Sequence, residues 1–346
     1  MDKGFSVHKH IVMNNRKGFQ FWAIHHQRAA LYEELSKEWV ALERFKGDRL
    51  PLEIVSQEIK KMVMLANEPN LGIKVIETGV IKQSPFYKVL NIALSPSLDH
   101  RIDLPLVFML RLIGHYFQIL TEVVSIELQE CRDRIKINFT PNLPDFFSYH
   151  QIEGAMFGFT RLMGHFKNVW PTHVEFKHVP QWIDSCLYLK SFKCIPDFLK
   201  YHNQLVYSLD SLSVEHSDLV QINPIIHAIE KQFQNIHYQE KIEILLLTTL
   251  GFIQPSRQNI AGFLNISVKT MQRRLNEEEV SFNEILLNVR KKRVMDYLSL
   301  QQFTIKQIAL LLGYKAKSQF LKAFQQWYGM TPQQYKESGL LPARMD

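Results

Sequence analysis

The chain has 346 residues, 46% hydrophobic and 22% charged, a globular composition long enough for two or three domains and unlike that of a disordered chain. Its three cysteines (Cys131, Cys186, Cys194) form no CxxC pair, which excludes a disulfide framework and a cysteine-rich zinc site and fits a reducing compartment. The net charge of +7 hints at an acidic partner; the N-terminus lacks the apolar region of a secretory signal, and the most apolar stretch, 104–113, is broken by Pro105 and Arg111, so a cytoplasmic protein with no membrane span is expected.

In chain order, residues 19–46 have helical apolar spacing (Phe21, Trp22, Ile24, Leu31, Leu35, Val40, Leu42) and are predicted as one helix stopped by Gly47. Residues 51–67 read as a second helix with Pro51 in its first turn, and 104–122 as a third. Short strands are predicted at 123–128 and 134–139 around a turn at 130–133. A helix over 145–166 follows, then strands at 174–176 and 205–209, so residues 1–210 read as a mixed α+β domain. Residues 211–223 are polar and weakly patterned, and 211–237 is assigned to a linker and connecting helix. Beyond 225 no strand pattern is found; helices are predicted at 225–235, 239–250, 256–264, 267–276, 281–299, 304–312, 315–327 and 332–338.

Charge is distributed unevenly. Residues 238–346 hold 15 Lys+Arg against nine Asp+Glu, whereas 1–237 are nearly neutral. A solvated basic surface would explain the number alone, but confinement to one module points to nucleic acid.

That module contains a repeat. Ile260-Ala261-Gly262-Phe263-Leu264-Asn265-Ile266 parallels Ile308-Ala309-Leu310-Leu311-Leu312-Gly313-Tyr314, 48 residues later. Each copy is an apolar-faced helix with a small Ala, then a residue that tolerates a left-handed turn (Asn265, Gly313), then a second helix. This is the build of a helix-turn-helix, in which the Ala permits a close crossing and the second helix enters the major groove. Ser267 and Thr304 are placed as N-caps.

At 100° per residue Val268, Met271 and Leu275 share one face of the first such helix, with Lys269, Arg273 and Asn276 opposite. In the second, Phe320, Phe324 and Trp327 form the inward stripe and Ser318, Lys322 and Gln325 the outward one. Arg273 has the fork that fits guanine, Lys269 reaches a base or phosphate, and Gln272 on the flank suits adenine. The second helix is weaker, with Lys322 in place of a forked Arg and Leu321 fit only for a thymine methyl or for packing. The helix over 281–299 is about 28 Å long, a spacer suited to two heads roughly one DNA turn, 34 Å, apart. Its Arg290-Lys291-Lys292-Arg293 run reads equally as a solvated face or a phosphate contact.

These residues resemble the AraC-type transcriptional regulators over about 240–337. The resemblance is carried by Ile260-Ala261…Ser267…Met271-Gln272-Arg273-Arg274-Leu275, Phe282…Arg290, Ile305…Ile308-Ala309…Leu312-Gly313-Tyr314…Ser318…Phe320…Phe324, and Gly329-Met330-Thr331-Pro332…Tyr335. It implies an all-α C-terminal domain, 238–346, with two helix-turn-helix units joined by a long helix that dock in successive major grooves, the first often the more specific. The DNA contacts it implies are Ser267, Lys269, Thr270, Gln272, Arg273, Arg274 and Asn276, then Lys315, Lys317, Ser318, Gln319, Leu321, Lys322 and Gln325. Tyr314, Ala316, Lys322 and Gln325 depart from the family's usual residues and weaken the second unit's expected grip. The N-terminal part is similar, less specifically, to the branch with an arabinose-binding-like sensor domain, through Arg49-Leu50-Pro51, Glu68-Pro69-Asn70-Leu71-Gly72 and Trp170-Pro171…Val174-Glu175-Phe176. The resemblance implies a promoter as partner, with RNA polymerase, a small effector and a second copy of the chain as further candidates.

Other constellations carry less. His173 and His178, five apart, have poor ligand geometry, so neither metal nor cofactor is expected. Arg111-Leu112-Ile113-Gly114-His115-Tyr116-Phe117 resembles Arg161-Leu162-Met163-Gly164-His165-Phe166; His115 and His165 could face an effector pocket, though packing of two similar helices is the preferred reading. Phe19, Phe21, Trp22, Phe146, Phe147, Phe157 and Phe159 are core candidates, or the lining of an apolar pocket. No GxGxxG, P-loop, GxSxG or HExxH is present, so an enzyme is not expected. The alternatives are a DNA-repair enzyme with an appended DNA-binding module, and a regulator that dimerises or docks a partner without a small ligand.

Overall fold

A computed structural model describes residues 5–99, 104, 106–131, 133–180, 182–209, 237–264, 266–301 and 303–338. The expected linker at 211–223, the helix at 225–235 and the turn residue Asn265 lie outside the described residues. The described residues are mostly helical, with their strands confined to the N-terminal part. It divides into two compact units, Met1–Lys88 with Met109–His216, and Val89–Phe108 with Ser217–Asp346.

The first unit opens with a two-stranded antiparallel pair, β1 (Ser6–His8) and β2 (Arg49–Pro51). Its helices are α1 (Lys9–His25), α2 (Ala29–Glu38), α3 (Leu52–Ala66), α4 (Leu71–Thr78), α6 (Leu106–Leu120), α7 (Tyr149–Lys167) and α8 (Ser185–Phe192); α5 (Pro85–Asp99) follows α4 and from Val89 on belongs to the second unit. A four-stranded antiparallel sheet runs β3-β4-β6-β5, from β3 (Val124–Glu130), β4 (Arg134–Pro141), β5 (His173–Glu175) and β6 (Gln204–Ser208). Alternation along β4 buries Ile135, Ile137 and Phe139, the period-2 pattern of a strand with one face on a core.

The single helix expected over 19–46 is two helices and a 3-10 turn (Leu42–Arg44). The first begins ten residues early, where the His8 side chain accepts from the His10 N–H at 3.2 Å. It ends where Gln27 turns left-handed (φ 58°) and the Arg28 N–H bonds back to the Ala23 carbonyl at 2.7 Å. The Arg28 guanidinium then donates to the Ala66 and Leu65 carbonyls at the end of α3. No Gly or Pro marks this break; capture of Arg28 by the open carbonyl end of another helix accompanies it. By contrast α3 ends on Asn67 in the left-handed conformation (φ 43°), at the residue the sequence indicates.

The second unit contains α9 (Tyr238–Thr249), α10 (Arg257–Phe263), α11 (Val268–Glu277), α12 (Phe282–Leu300), α13 (Ile305–Leu311), α14 (Lys317–Tyr328) and α15 (Pro332–Glu337). Capping residues fix these boundaries: Ser256, Ser267, Ser281, Thr304 and Thr331 each accept a backbone N–H in the first turn of the helix they precede. Three of them complete capping boxes, with Glu284, Gln307 and Gln334 returning the bond. Removing one such cap, as in Thr304→Ala, is expected to lower the stability of this unit by about 1 kcal/mol, read as a shift in its urea midpoint with unchanged slope.

Candidate nucleic-acid interface

Helices α10 and α11 form one pair, α13 and α14 a second. Their turns are closed by equivalent hydrogen bonds. The Leu264 N–H reaches the Ile260 carbonyl at 3.1 Å and the Ile266 N–H the Ala261 carbonyl at 3.0 Å. Forty-eight residues later Leu312 reaches Ile308 at 3.0 Å and Tyr314 reaches Ala309 at 2.9 Å. In the second pair Gly313 supplies the left-handed residue (φ 73°) that such a turn needs.

Each pair buries one stripe and exposes the other. On α11 Met271 and Leu275 are buried, as are Ile260 and Ala261 of its partner helix, and burial of a Met or Leu side chain contributes roughly 1.5–3 kcal/mol. Lys269, Gln272, Arg273, Arg274 and Asn276 are exposed, Thr270 is half-buried, and the N-cap Ser267 faces solvent. On α14 Phe320 and Phe324 are buried and meet edge to face at 5.7 Å. Trp327, expected on that stripe, is only half-buried, because it lies at the helix end beside Tyr328. Lys315, Lys317, Ser318, Gln319, Lys322 and Gln325 are exposed and Leu321 is half-buried.

The outward cations differ in what holds them. Arg273 is paired with Glu277 one turn on, at 2.6 Å. Arg274 lies over the Tyr238 ring at 4.9 Å, a cation–π contact that ties α11 to the start of α9. At the same place Glu278 accepts the Tyr238 and Gln239 N–H groups at 2.6 and 2.7 Å, capping α9 with a carboxylate from outside it. Among the described residues Lys269, Lys315, Lys317 and Lys322 have no ion-pair partner.

The Arg290–Arg293 run on α12 splits by face. Arg290 donates through Nε to the Leu312 carbonyl at 2.9 Å and stacks on the Tyr314 ring at 4.1 Å; burial holds its pKa below the usual arginine value. Arg293, only 2% exposed, donates to the Leu247 carbonyl at 3.2 Å and lies 3.6 Å from Asp296. These two arginines are therefore fixed to the carbonyl ends of α13 and α9, and only Lys291 and Lys292 project from the run. Helical spacing alone showed the run as one solvated or phosphate-facing patch.

In the first unit a cavity of about 180 Å³ lies among α1, α3, α4 and α7. Of the seven aromatic candidates only Phe19 lines it; Phe21 and Phe146 are exposed, and Trp22, Phe157 and Phe159 are core. Neither His115 nor His165 lines it: His115 stands edge-on to Tyr116 at 5.7 Å, and His165 edge-on to Tyr87 at 5.0 Å. Beside the cavity is a buried polar cluster that sequence reasoning missed. Glu153 is wholly buried, accepts from the Tyr188 hydroxyl at 2.7 Å and from Asn70 Nδ2 at 3.3 Å, and lies 3.3 Å from His178 Nε2. Burial pushes His150 down to about 4 and Tyr149 up to about 12, so both are neutral at pH 7. Among the described residues no group of three or more His, Cys, Asp or Glu is placed to hold a metal ion, and no helix is long and apolar enough to cross a membrane.

Comparison with known proteins bears on the C-terminal segment. A family profile described as "Helix-turn-helix domain" matches residues 260–338. The HTH-type transcriptional regulator GadX of Escherichia coli K12 is 36% identical over 78 residues, 22% of this chain and 28% of its own length. The urease operon transcriptional activator of Escherichia coli is 30% identical over 116 residues, 29% of this chain and 39% of its own. The chain thus spans well under half the length of these relatives. The structure of the transcriptional regulator CdpR from Pseudomonas aeruginosa aligns over 88% of this chain and 97% of its own, at 18% identity and a TM-score of 0.32, too distant to carry an argument. The C-terminal segment carries an AraC-type helix-turn-helix domain, and the relatives that share it are transcriptional regulators.

Proposed function

We propose that the chain is a sequence-specific, DNA-binding transcriptional regulator in which residues 238–346 bind promoter DNA and residues 1–210 sense an effector or partner, joined through 211–237. In this reading α10–α11 and α13–α14 are two helix-turn-helix units on one rigid spacer, α12. The observation that supports it most is the equivalence of the two turns, bond for bond at a spacing of 48 residues, each followed by a helix with an apolar inner and a polar, basic outer face. Phosphate contacts by unpaired lysines would supply most of the affinity, and the outer faces of α11 and α14 the base readout. Contact with RNA polymerase and pairing with a second copy belong to the same reading, as does a cytoplasmic location.

A repair enzyme has less support. The chain's three cysteines are scattered rather than clustered, and burial pushes the Cys194 thiol up to about 11, which argues against that one as an activated nucleophile.

The reading is tested by titrating the full chain against a tiled set of genomic promoter fragments and a scrambled duplex at one fixed salt concentration. At least one fragment is expected to bind roughly a thousandfold tighter than the scrambled control. Uniform affinity across the whole set would overturn the reading.

A further inference from the structure

The cavity in the first unit has a one-sided electrostatic character. Its wall is largely aliphatic and aromatic, from Ile11, Phe19, Val55, Leu71 and Phe117 among others. Among the described residues no Asp, Glu or Lys lines it, and Arg161 is the one charged side chain in the wall. Helix α7 presents Gln151, Gly154, Ala155, Gly158 and Arg161 along the cavity, one face of the helix over about 15 Å of its axis. Gly154 lies against the backbone of Gly72, whereas Gly158 leaves space open: a Cβ added there would meet nothing within 4 Å.

Arg161 itself is incompletely matched. One guanidinium nitrogen donates to the Ile76 carbonyl near the end of α4. Among the described residues no carboxylate lies within 4 Å of it, and Glu77, whose charge acts on it, is paired with Lys190. An arginine stays charged even when burial lowers its pKa, as it does here. At the other end of the same face His150 is 2% exposed, neutral, and has an Nδ1 without a partner. A half-buried guanidinium in an apolar wall free of acidic groups is complementary to an anion with an apolar body. The fork of arginine fits a carboxylate through two parallel hydrogen bonds.

We propose that this cavity binds an elongated apolar monocarboxylic acid, with its carboxylate on Arg161 and its body passing α7 at Gly158. A cavity of about 150 Å³ holds a benzene-sized molecule, so the 180 Å³ here suits a body of roughly six to ten carbons. This goes beyond the regulator reading, because binding is measured without DNA. Carboxylate binding without promoter binding would leave the cavity assignment standing and sink the regulator reading. Promoter binding without carboxylate binding would do the reverse.

The experiment is calorimetric titration of the full chain with hexanoate, octanoate and decanoate, with octan-1-ol, octylamine and acetate as controls. Saturable one-to-one binding is expected for at least one acid, with octylamine and acetate at least tenfold weaker. Arg161→Gln removes a charge-assisted contact and is expected to weaken the acid roughly ten- to hundredfold while leaving octan-1-ol unchanged. Because Arg161 also braces α4, Gly158→Leu serves as the second variant: it fills the cavity and is expected to abolish binding of acid and alcohol alike. The assignment is overturned if no acid saturates, if octylamine binds as well as octanoate, or if octanoate binding survives Gly158→Leu in a chain of unchanged circular dichroism.

Discussion

Arg273→Ala is expected to lower the ratio of operator to scrambled-duplex affinity by about ten- to a hundredfold at fixed salt, the equivalent of one lost bidentate base contact of roughly 1–3 kcal/mol. The side chain sits at the centre of the exposed row of α11, between Lys269 and Asn276. In the free protein it is held by Glu277 at 2.6 Å, but both partners are more than half exposed. An exposed pair of this kind is worth only about 0–1 kcal/mol, so DNA would release the guanidinium easily and the pair would pre-orient it. Lys322→Ala, the central substitution on α14, is expected to lower affinity for operator and scrambled DNA alike, because a lysine with no fork acts mainly as a point charge on phosphate. Paired fluorescence-anisotropy titrations check both. An unchanged ratio for Arg273→Ala, or a larger loss of ratio for Lys322→Ala, would reverse the roles given to the two helices.

The second large effect is expected at Gly251. Its φ of 82° is left-handed, and an added Cβ would lie 2.5 Å from the Leu311 carbonyl oxygen and 2.7 Å from the Leu311 Cα. Both obstacles are backbone, which cannot rotate away as a side chain can. Gly251→Ala therefore combines left-handed strain with a wedge driven between the end of α9 and the end of α13, at about 2–5 kcal/mol in all. Against a native stability of about 5–15 kcal/mol this removes a large part of the margin. Urea unfolding should show an earlier midpoint, and DNA binding should fall as the two helix pairs lose their mutual register. Gly262→Ala is the matched control: its Cβ would meet nothing within 4 Å and its backbone is helical, so stability should hold or rise by up to about 1 kcal/mol. Equal midpoints for the two variants would remove the packing argument.

Legibility of these features in the sequence followed the range of the forces that make them. Helices α9 to α15 and the β3–β4 hairpin were readable because periodicity, caps and turn residues are local, as at Ser267, Thr304 and Gly313. The outward rows of α11 and α14 were readable for the same reason: burying Met271 and Leu275, or Phe320 and Phe324, dictates what faces away. The break at Gln27–Arg28 was not readable, since the apolar period runs through it and the carbonyls of Leu65 and Ala66 that take up Arg28 are distant in sequence. Strands β1 and β2, three residues each, are too short to show a period and pair across more than forty residues. Helices α4, α5 and α8 passed unrecognised, α4 and α8 having only eight residues each. The Glu153 cluster draws Asn70, Tyr188 and His178 from separate elements, and no spacing along the chain announces it. Arg161 and the Gly154–Gly158 face were visible as residues but carried no meaning until α1, α3 and α4 closed around them.

The two clamped arginines of α12 carry a consequence for how the protein would meet a promoter. With Arg290 fastened to the end of α13 and Arg293 to the end of α9, the gap between the helix pairs is not a hinge angle but a length of helix. Such a molecule acts as a caliper. On the proposed reading it would recognise the phasing of two sites around the duplex as strictly as their sequence, and half a helical turn of extra DNA between them would turn one site to the far side of its reach.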